Sequence, residues 1–156
     1  MEIKELKSYT EADLRDMDEL MHQLSATSYC DEKILQAIMD DVNSHLYGAV
    51  ANDNVNVNLN LNDVLNDNKR IVGCACLCVA HTPEFTLGFV ESVTVLSECR
   101  GQHIGRKLME HLIAEAKRMG VQSLHLTSNP KRMAANGLYQ AMGFVRYETN
   151  CYTMIL

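Results

Sequence analysis

The sequence predicts an α/β protein in which a mixed β-sheet carries helices on both faces. Apolar residues alternate with a period of two in some segments and recur at helical spacing in others. These segments follow one another as strand, two helices, three strands and two helix–strand units, an order typical of a mixed sheet. A chain of 156 residues is expected to form a single domain, residues 1–156, around one core.

The first half of the chain predicts two strands separated by two helices. Residues 2–8 predict a strand, and Thr10 has the features of a helix N-cap because acidic residues and then helical apolar spacing follow it. A second helix is predicted from about Asp31 and a strand over His45–Ala51. The Asn-rich run at about 52–68 is interpreted as a mobile or hairpin-extending insertion between two strands, without recognisable chemistry.

The second half predicts four strands and two helices. Gly120 and Gly143 follow the two helical segments, where glycine commonly ends a helix. The strands are predicted at Arg70–Ala80, Leu87–Val95, Ser123–Thr127 and Phe144–Leu156, and the helices from Gly101–Ile104 to about Met119 and over Lys131–Met142.

Composition narrows the class of protein. The chain is 47% apolar and 22% charged, with a net charge of −6. An acidic chain argues against nucleic acid as the main partner, because phosphate binding needs a basic face. The N-terminus is charged and no apolar window is long enough for a bilayer, so we expect a cytoplasmic protein without a membrane partner. Its six cysteines are then expected to be reduced.

The segment from the end of one strand to the start of the next helix has features of a phosphate-binding loop. A helix N-terminus offers free backbone N–H groups, and Gly101 and Gly105 allow close approach of an anion. Arg100, Arg106 and Lys107 add positive charge. By spacing alone, a plain strand-to-helix turn with solvated basic residues fits equally well.

Two motifs resemble the GNAT N-acetyltransferase superfamily. Arg100–Gly105 is similar to the acetyl-CoA loop [QR]-x-x-G-x-[GA], with His103 where the family usually has glycine. Histidine adopts the left-handed conformation more readily than most residues. Downstream, Ala134–Phe144 resembles the family's A-x-x-L-Y-x-x-x-G-F pattern. Two motifs in the family's order are more specific than either alone.

The resemblance implies where acetyl-CoA would bind. The sheet is expected to splay between the strands Leu87–Val95 and Ser123–Thr127, with the pantetheine arm in the gap. A backbone N–H at the end of the first strand would stabilise the oxyanion of the thioester. The implied backbone contacts are Val93, Thr94 and Val95 for pantetheine, and Arg100, Gly101, Gln102, His103, Ile104, Gly105 and Arg106 for the pyrophosphate.

The resemblance also implies catalytic roles. Tyr139 matches the family's tyrosine, which protonates the departing CoA thiolate. Arg132 and Asn136 are further candidate cofactor contacts. Glu91 is the candidate general base, acting through water, and a plain solvated strand residue is an equally good interpretation. No metal is expected: the two-residue spacing of Cys74, Cys76 and Cys78 favours small core residues over a zinc site.

The predicted function is therefore N-acetyl transfer from acetyl-CoA to an amine by direct attack, without a covalent enzyme intermediate. The amine could be a polyamine, an amino acid, an antibiotic or a protein amine. The alternative is an acyl-CoA sensor or regulatory module of the same fold with little transferase activity. By analogy, the apolar C-terminal strand could pair across a homodimer.

Overall fold

A computed structural model describes residues 1–51 and 70–156 in two compact units, Met1–Leu126 and Thr127–Leu156. The Asn-rich run predicted at 52–68 lies outside the described residues. Unit 1 contains β1 (Glu2–Glu5), α1 (Glu11–Leu24), α2 (Glu32–Asp40), β2 (Ser44–Val50), β3 (Ile71–His81), β4 (Thr86–Val95), a 3₁₀ turn (Ser97–Cys99), α3 (Ile104–Arg118) and β5 (Ser123–His125). Unit 2 contains α4 (Met133–Ala141).

The five strands form one mixed sheet in chain order, β1-β2-β3-β4-β5. The first four strands pair antiparallel, and β5 pairs parallel with β4. The parallel pair needs a crossover connection, which α3 supplies. The predicted mixed sheet is confirmed.

Helices cover both faces of this sheet, as the apolar patterns predicted. On one face the Tyr47 ring meets the His111 ring of α3 at 5.0 Å between centroids, and a Cβ placed on Gly73 would lie 3.2 Å from Leu108 of the same helix. Side chains alternate between faces along a strand, so Cys74 points to the other face, beneath the α1–α2 connection that carries Cys30. Leu20 and Leu35 are fully buried in α1 and α2, each stabilising the fold by about 1.5–3 kcal/mol relative to an exposed side chain.

The C-terminal strand predicted at Phe144–Leu156 is wrong. No strand is present among the described residues of unit 2, and Val145–Leu156 are all exposed. The backbone of a strand needs a neighbouring strand to accept and donate its hydrogen bonds, and within this unit α4 is the one regular element described. Alternating apolar residues predicted the strand, but they cannot specify its partner.

None of the helices in residues 1–51 and 70–156 combines the length and the apolar character that crossing a bilayer requires.

Candidate functional site

The sheet opens between β4 and β5. The two strands pair at Leu87↔Ser123, Gly88↔Leu124 and Phe89↔His125. Beyond Phe89, β4 continues to Val95 with no β5 partner among the described residues. The last part of β4 therefore borders a gap in the sheet, where the splayed sheet was expected.

A β-bulge distorts β4 beside this gap. Its register against β3 shifts, since Cys74 lies opposite Thr94 while Cys76 lies opposite Glu91, so that β4 has an extra residue in this interval. Ser92 in the bulge has a φ of 54°, a left-handed conformation that costs a non-glycine residue on the order of 1–3 kcal/mol. The Cys74 thiol donates to the Ser92 carbonyl at 3.4 Å. The sequence carries no signal for this bulge, because serine is ordinary in a strand.

Backbone direction separates the predicted pantetheine contacts. The Leu96 N–H donates to the Val72 carbonyl at 3.0 Å, toward β3. Because these directions alternate along a strand, the N–H and C=O of Val95 point away from β3, whereas those of Thr94 point toward it. Val93 lies next to the bulge. Val95 thus presents backbone groups to the open side of β4, and the backbone of Thr94 is used in the ladder.

The loop before α3 combines left-handed backbone conformations with a helix start that no side chain caps within the described residues. Gly101 has a φ of 79°, and His103, at the N-cap of α3, has φ 61° and ψ 17°. No side chain caps this helix start within the described residues. The Lys107 N–H is the first to bond back into the helix, to the His103 carbonyl at 3.1 Å, which leaves the amides of Ile104, Gly105 and Arg106 without intrahelical acceptors. These amides carry the positive end of the helix dipole.

Basic side chains surround this loop. The Arg100 Nε donates to the Val95 carbonyl at 3.2 Å, so this side chain folds toward the end of β4. Arg106 forms a long i,i+4 ion pair with Glu110 at 3.7 Å between Nη1 and Oε1. Such exposed pairs contribute only about 0.3–0.5 kcal/mol, so Arg106 can be recruited by a phosphate at little cost. The His103 imidazole is exposed at the helix start, and the backbone contact of His103 with the pyrophosphate stays a prediction.

Tyr139 is partly buried on α4 in unit 2. Its ring lies 6.1 Å from that of Phe144, edge to face, and its carbonyl accepts the Phe144 N–H at 3.0 Å. Gly143, with φ 92°, allows the chain to fold back after the helix. Burial raises the pKa of the Tyr139 phenol above its usual value near 10, and the Arg132 guanidinium offsets part of this rise. The phenol is therefore protonated at neutral pH, as a general acid must be.

Asn136 fixes the turn that precedes α4. Its Nδ2 donates to the carbonyls of Asn129 at 2.9 Å and Arg132 at 3.0 Å. Both amide hydrogens are engaged, so a contact between Asn136 and the cofactor would have to use Oδ1. Arg132 occupies the N-cap position of α4 and is exposed.

Glu91 is exposed on β4, next to the bulge and opposite Cys76. Burial raises the pKa of the Cys76 thiol, and the neighbouring Cys78 and Glu91 add to the rise. The Sγ atoms of Cys76 and Cys78 are 3.9 Å apart. Among the described residues, no group of three or more His, Cys, Asp or Glu side chains is placed to hold a metal ion.

The amino-acid sequence is similar to those of known proteins. Residues 21–144 match the family model described as "Acetyltransferase (GNAT) family". N-alpha-acetyltransferase 30 of Schizosaccharomyces pombe is 30% identical over 83 residues, which is 53% of this chain and 55% of that protein. The chain therefore spans about half the length of this curated relative.

Solved structures share the fold. Glucosamine-6-phosphate N-acetyltransferase from Arabidopsis thaliana superposes with a TM-score of 0.71 at 17% identity, over 98% of this chain and 97% of that one. An aminoglycoside N-acetyltransferase in complex with CoA superposes with a TM-score of 0.72 at 16% identity, over 99% of both chains. The family match runs from α1 through α4 to Phe144 and includes both sequence motifs. The protein belongs to the acetyltransferase (GNAT) family.

Proposed function

We propose that the protein is an acetyl-CoA-dependent N-acetyltransferase. The observation that carries the proposal is that the same unit contains both a bulged β4, unpaired on one side beyond Phe89, and an uncapped start of α3. A strand whose backbone groups face an open side suits the amide-containing pantetheine arm, and a helix start without intrahelical acceptors for its amides suits a pyrophosphate. Family membership makes acetyl-CoA the first ligand to test.

The residues of the α3 loop fit the phosphates of this ligand. The amides from Gly101 to Arg106 would hold the pyrophosphate, with Arg100 and Arg106 as charged partners. A Cβ added at Gly101 would meet nothing within 4 Å, so the backbone here is open to an incoming anion. The buried Ile104 side chain, 2% exposed, anchors the start of the helix so that the amides keep their direction.

Backbone groups of Val93 and Val95 would bind the pantetheine arm. A backbone N–H at the bulge would donate to the thioester oxygen and stabilise the negative charge that forms on it during attack. Bound acetyl-CoA supplies an activated acetyl group with CoA thiolate as the leaving group. Tyr139 would give its phenolic proton to that thiolate, and its raised pKa keeps the phenol protonated until the thiolate departs.

The acceptor amine must be neutral when it attacks. Glu91 would accept the proton of the amine through water. Because its side chain is exposed, we propose this role for an amine that is already partly neutral rather than for one that is almost fully charged. A peptide α-amine, with a pKa of about 7.7–8.0, is partly neutral at physiological pH, whereas a lysine amine, at about 10.4, is almost fully charged. The similarity to an N-alpha-acetyltransferase points the same way. We propose a peptide α-amine as the leading acceptor.

Thermal melts with acetyl-CoA, ATP and NAD test the cofactor site. At a ligand concentration of 100 times Kd, binding adds about 2.7 kcal/mol to the free energy of unfolding. For a chain of this size, that raises Tm by roughly 5–10 °C. A shift with acetyl-CoA but not with ATP or NAD supports the proposal, and no shift at millimolar acetyl-CoA contradicts it.

Thiol release then tests transfer against a panel of peptides with free N-termini, N-terminally blocked peptides with a free lysine, polyamines and aminoglycosides. Faster thiol release with the free N-terminus than with the blocked lysine peptide supports the proposed acceptor. Acetyl-CoA binding without thiol release from any amine would favour the alternative of an acyl-CoA sensor or regulatory module.

A further inference from the structure

The 3₁₀ turn Ser97–Cys99 sets the position of the α3 loop. It connects the end of β4 to Arg100, the first residue of that loop. Two fully buried side chains, Leu96 and Cys99, hold the turn to the core, and the Cys99 N–H donates to the Leu96 carbonyl at 2.9 Å. Its outer residues, Ser97 and Glu98, are exposed. Any contact that fixes these outer residues also fixes where the loop begins.

One arginine joins this turn to α1. The side chain of Arg70 is only 13% exposed and faces three carboxylates, which together with it form the Arg70 cluster. Its guanidinium lies 2.6 Å from the Glu19 carboxylate and 3.6 Å from that of Asp16, both on α1. The same guanidinium lies 3.5 Å from the Glu98 carboxylate of the turn. The planar fork of arginine suits such a three-way contact better than the point charge of lysine.

A neutral hydrogen bond reinforces the same junction. The Gln23 Oε1 on α1 accepts the Ser97 N–H at 2.7 Å. Asp16, Glu19 and Gln23 follow one another at i, i+3 and i+7, so they share one face of α1. Asp16 also accepts the Ile71 N–H at 2.8 Å, which ties this face to the start of β3. Helix α1 therefore holds both β3 and the turn.

Replacing Arg70 by a neutral residue would remove its attraction for the three carboxylates and would also leave those carboxylates to repel one another. Three carboxylates would remain close together without the Arg70 charge between them, and Glu98 would be repelled from α1. The turn would then sample positions in which the Arg100–His103 segment no longer faces the same anion as the amides at the start of α3. Affinity falls in proportion to the fraction of molecules that keep the binding conformation.

We propose that Arg70, Glu98 and Gln23 are positioning residues for acetyl-CoA, which hold the Ser97–Cys99 turn so that the α3 loop is preorganised for phosphate. The inference rests on the proposed function. It assigns to α1 a role in cofactor affinity through contacts that never touch the cofactor.

Calorimetric titration of Glu98→Gln with acetyl-CoA is the decisive experiment, because two explanations predict opposite signs. Removing a negative charge near the loop would by itself tighten the binding of an anionic cofactor. Loss of positioning weakens it, and a fall of the competent fraction to about one tenth raises Kd about tenfold. Glu115→Gln is the matched control, since it makes the same charge change in an ion pair with Arg118 near the other end of α3. Its Kd is expected within twofold of wild type.

Gln23→Leu adds a variant without any charge change, and it is expected to raise Kd severalfold. In the transferase assay both variants should raise KM for acetyl-CoA while kcat stays within twofold, because the proposed catalytic groups are elsewhere. Circular dichroism and Tm verify folding, and if Gln23→Leu is unfolded then Glu98→Gln decides alone. Unchanged or tighter binding by folded Glu98→Gln overturns the inference. Wild-type protein that binds no acetyl-CoA overturns the proposed function, and the inference with it.

Discussion

The helices of this protein begin in two different ways. Helices α1 and α2 are closed by side chains: the Thr10 hydroxyl accepts the Asp13 N–H at 3.2 Å, and the Asp31 carboxylate accepts the Ile34 N–H at 2.7 Å. Helices α3 and α4 begin at His103 and Arg132, and within the described residues neither start has a side-chain cap. The uncapped helices are the two that carry the family motifs.

This difference separates stability from binding. A capped helix satisfies its first amides within the chain, which stabilises the fold by about 1 kcal/mol. An uncapped helix leaves its first backbone N–H groups available to water or to an anion, so a bound anion would stabilise it further. Substitutions at the two kinds of helix start should therefore affect different measurements.

The largest effect is expected from Tyr139→Phe on uncapped α4. Loss of the proton donor should lower the rate of thiol release by about 10²–10⁴-fold, with acetyl-CoA Kd within twofold of wild type. Because burial raises the folded pKa of Tyr139, activity should fall by deprotonation of the wild-type phenol only at a higher pH than an exposed tyrosine would show. Stopped-assay rates across pH and calorimetry measure both quantities. Normal turnover of the variant would remove Tyr139 from its role.

Gly101→Val should have the next largest effect, on cofactor binding. With φ 79°, this position disfavours an L side chain by about 1–2 kcal/mol, and a β-branched one is the least able to adopt it. If the loop relaxes to avoid the strain, its amides lose their convergence, and acetyl-CoA affinity should fall at least tenfold by calorimetry. Gly137→Ala, inside α4, provides a glycine substitution without a positive φ and should be stabilising or neutral in a thermal melt. Equal affinity of Gly101→Val and wild type would contradict the loop assignment.

Thr10→Ala should show the reverse pattern at a capped helix. It removes the acceptor of the Asp13 N–H and should lower the free energy of unfolding by about 1 kcal/mol. Tm should fall by roughly 2–4 °C, while acetyl-CoA Kd stays within twofold. A loss of affinity comparable to that of Gly101→Val would show that the two kinds of helix start are not functionally distinct.

The smallest effect is expected from His103→Gly, which places the family's usual residue at this left-handed position. Glycine relieves backbone strain there but loses more conformational entropy on folding, so the two effects largely cancel in Tm. Unchanged Kd would assign His103 a backbone role only. A severalfold loss of affinity that is absent at high salt would instead show that the imidazole contacts the phosphates.

Much of the local architecture was predictable. Thr10 is predictable as a helix N-cap because a capping side chain acts on amides two or three residues away. The helix from about Asp31 is predictable from the helical spacing of its apolar residues. The strands of the sheet and α3 are predictable from the spacing of apolar residues, since an element that buries one face repeats its apolar residues with the period of that element. The uncapped loop before α3 could be identified from its motif and its glycines, and the left-handed conformation of His103 agrees with that interpretation.

The features that the sequence did not predict depend on contacts between residues that are far apart in the chain. The strand predicted at Phe144–Leu156 failed, because alternation shows that a segment can form a strand but not that an edge is available. The bulge at Ser92 comes from the register between β4 and β3, and a single serine in a strand does not predict a bulge. The sequence predicts Arg70 as the first residue of a strand. It does not predict that Arg70 faces carboxylates from α1 and from the Ser97–Cys99 turn.

The sequence by itself determined the helix caps, the strand and helix periods and the two motifs that place the chain in its family, because each of these acts over a few neighbouring residues. Only the tertiary structure decided where β4 leaves β5, how the bulge turns its backbone and which carboxylates surround Arg70. Those features arise when segments far apart in the chain are brought within hydrogen-bonding distance, and their energies depend on geometry that no single segment contains.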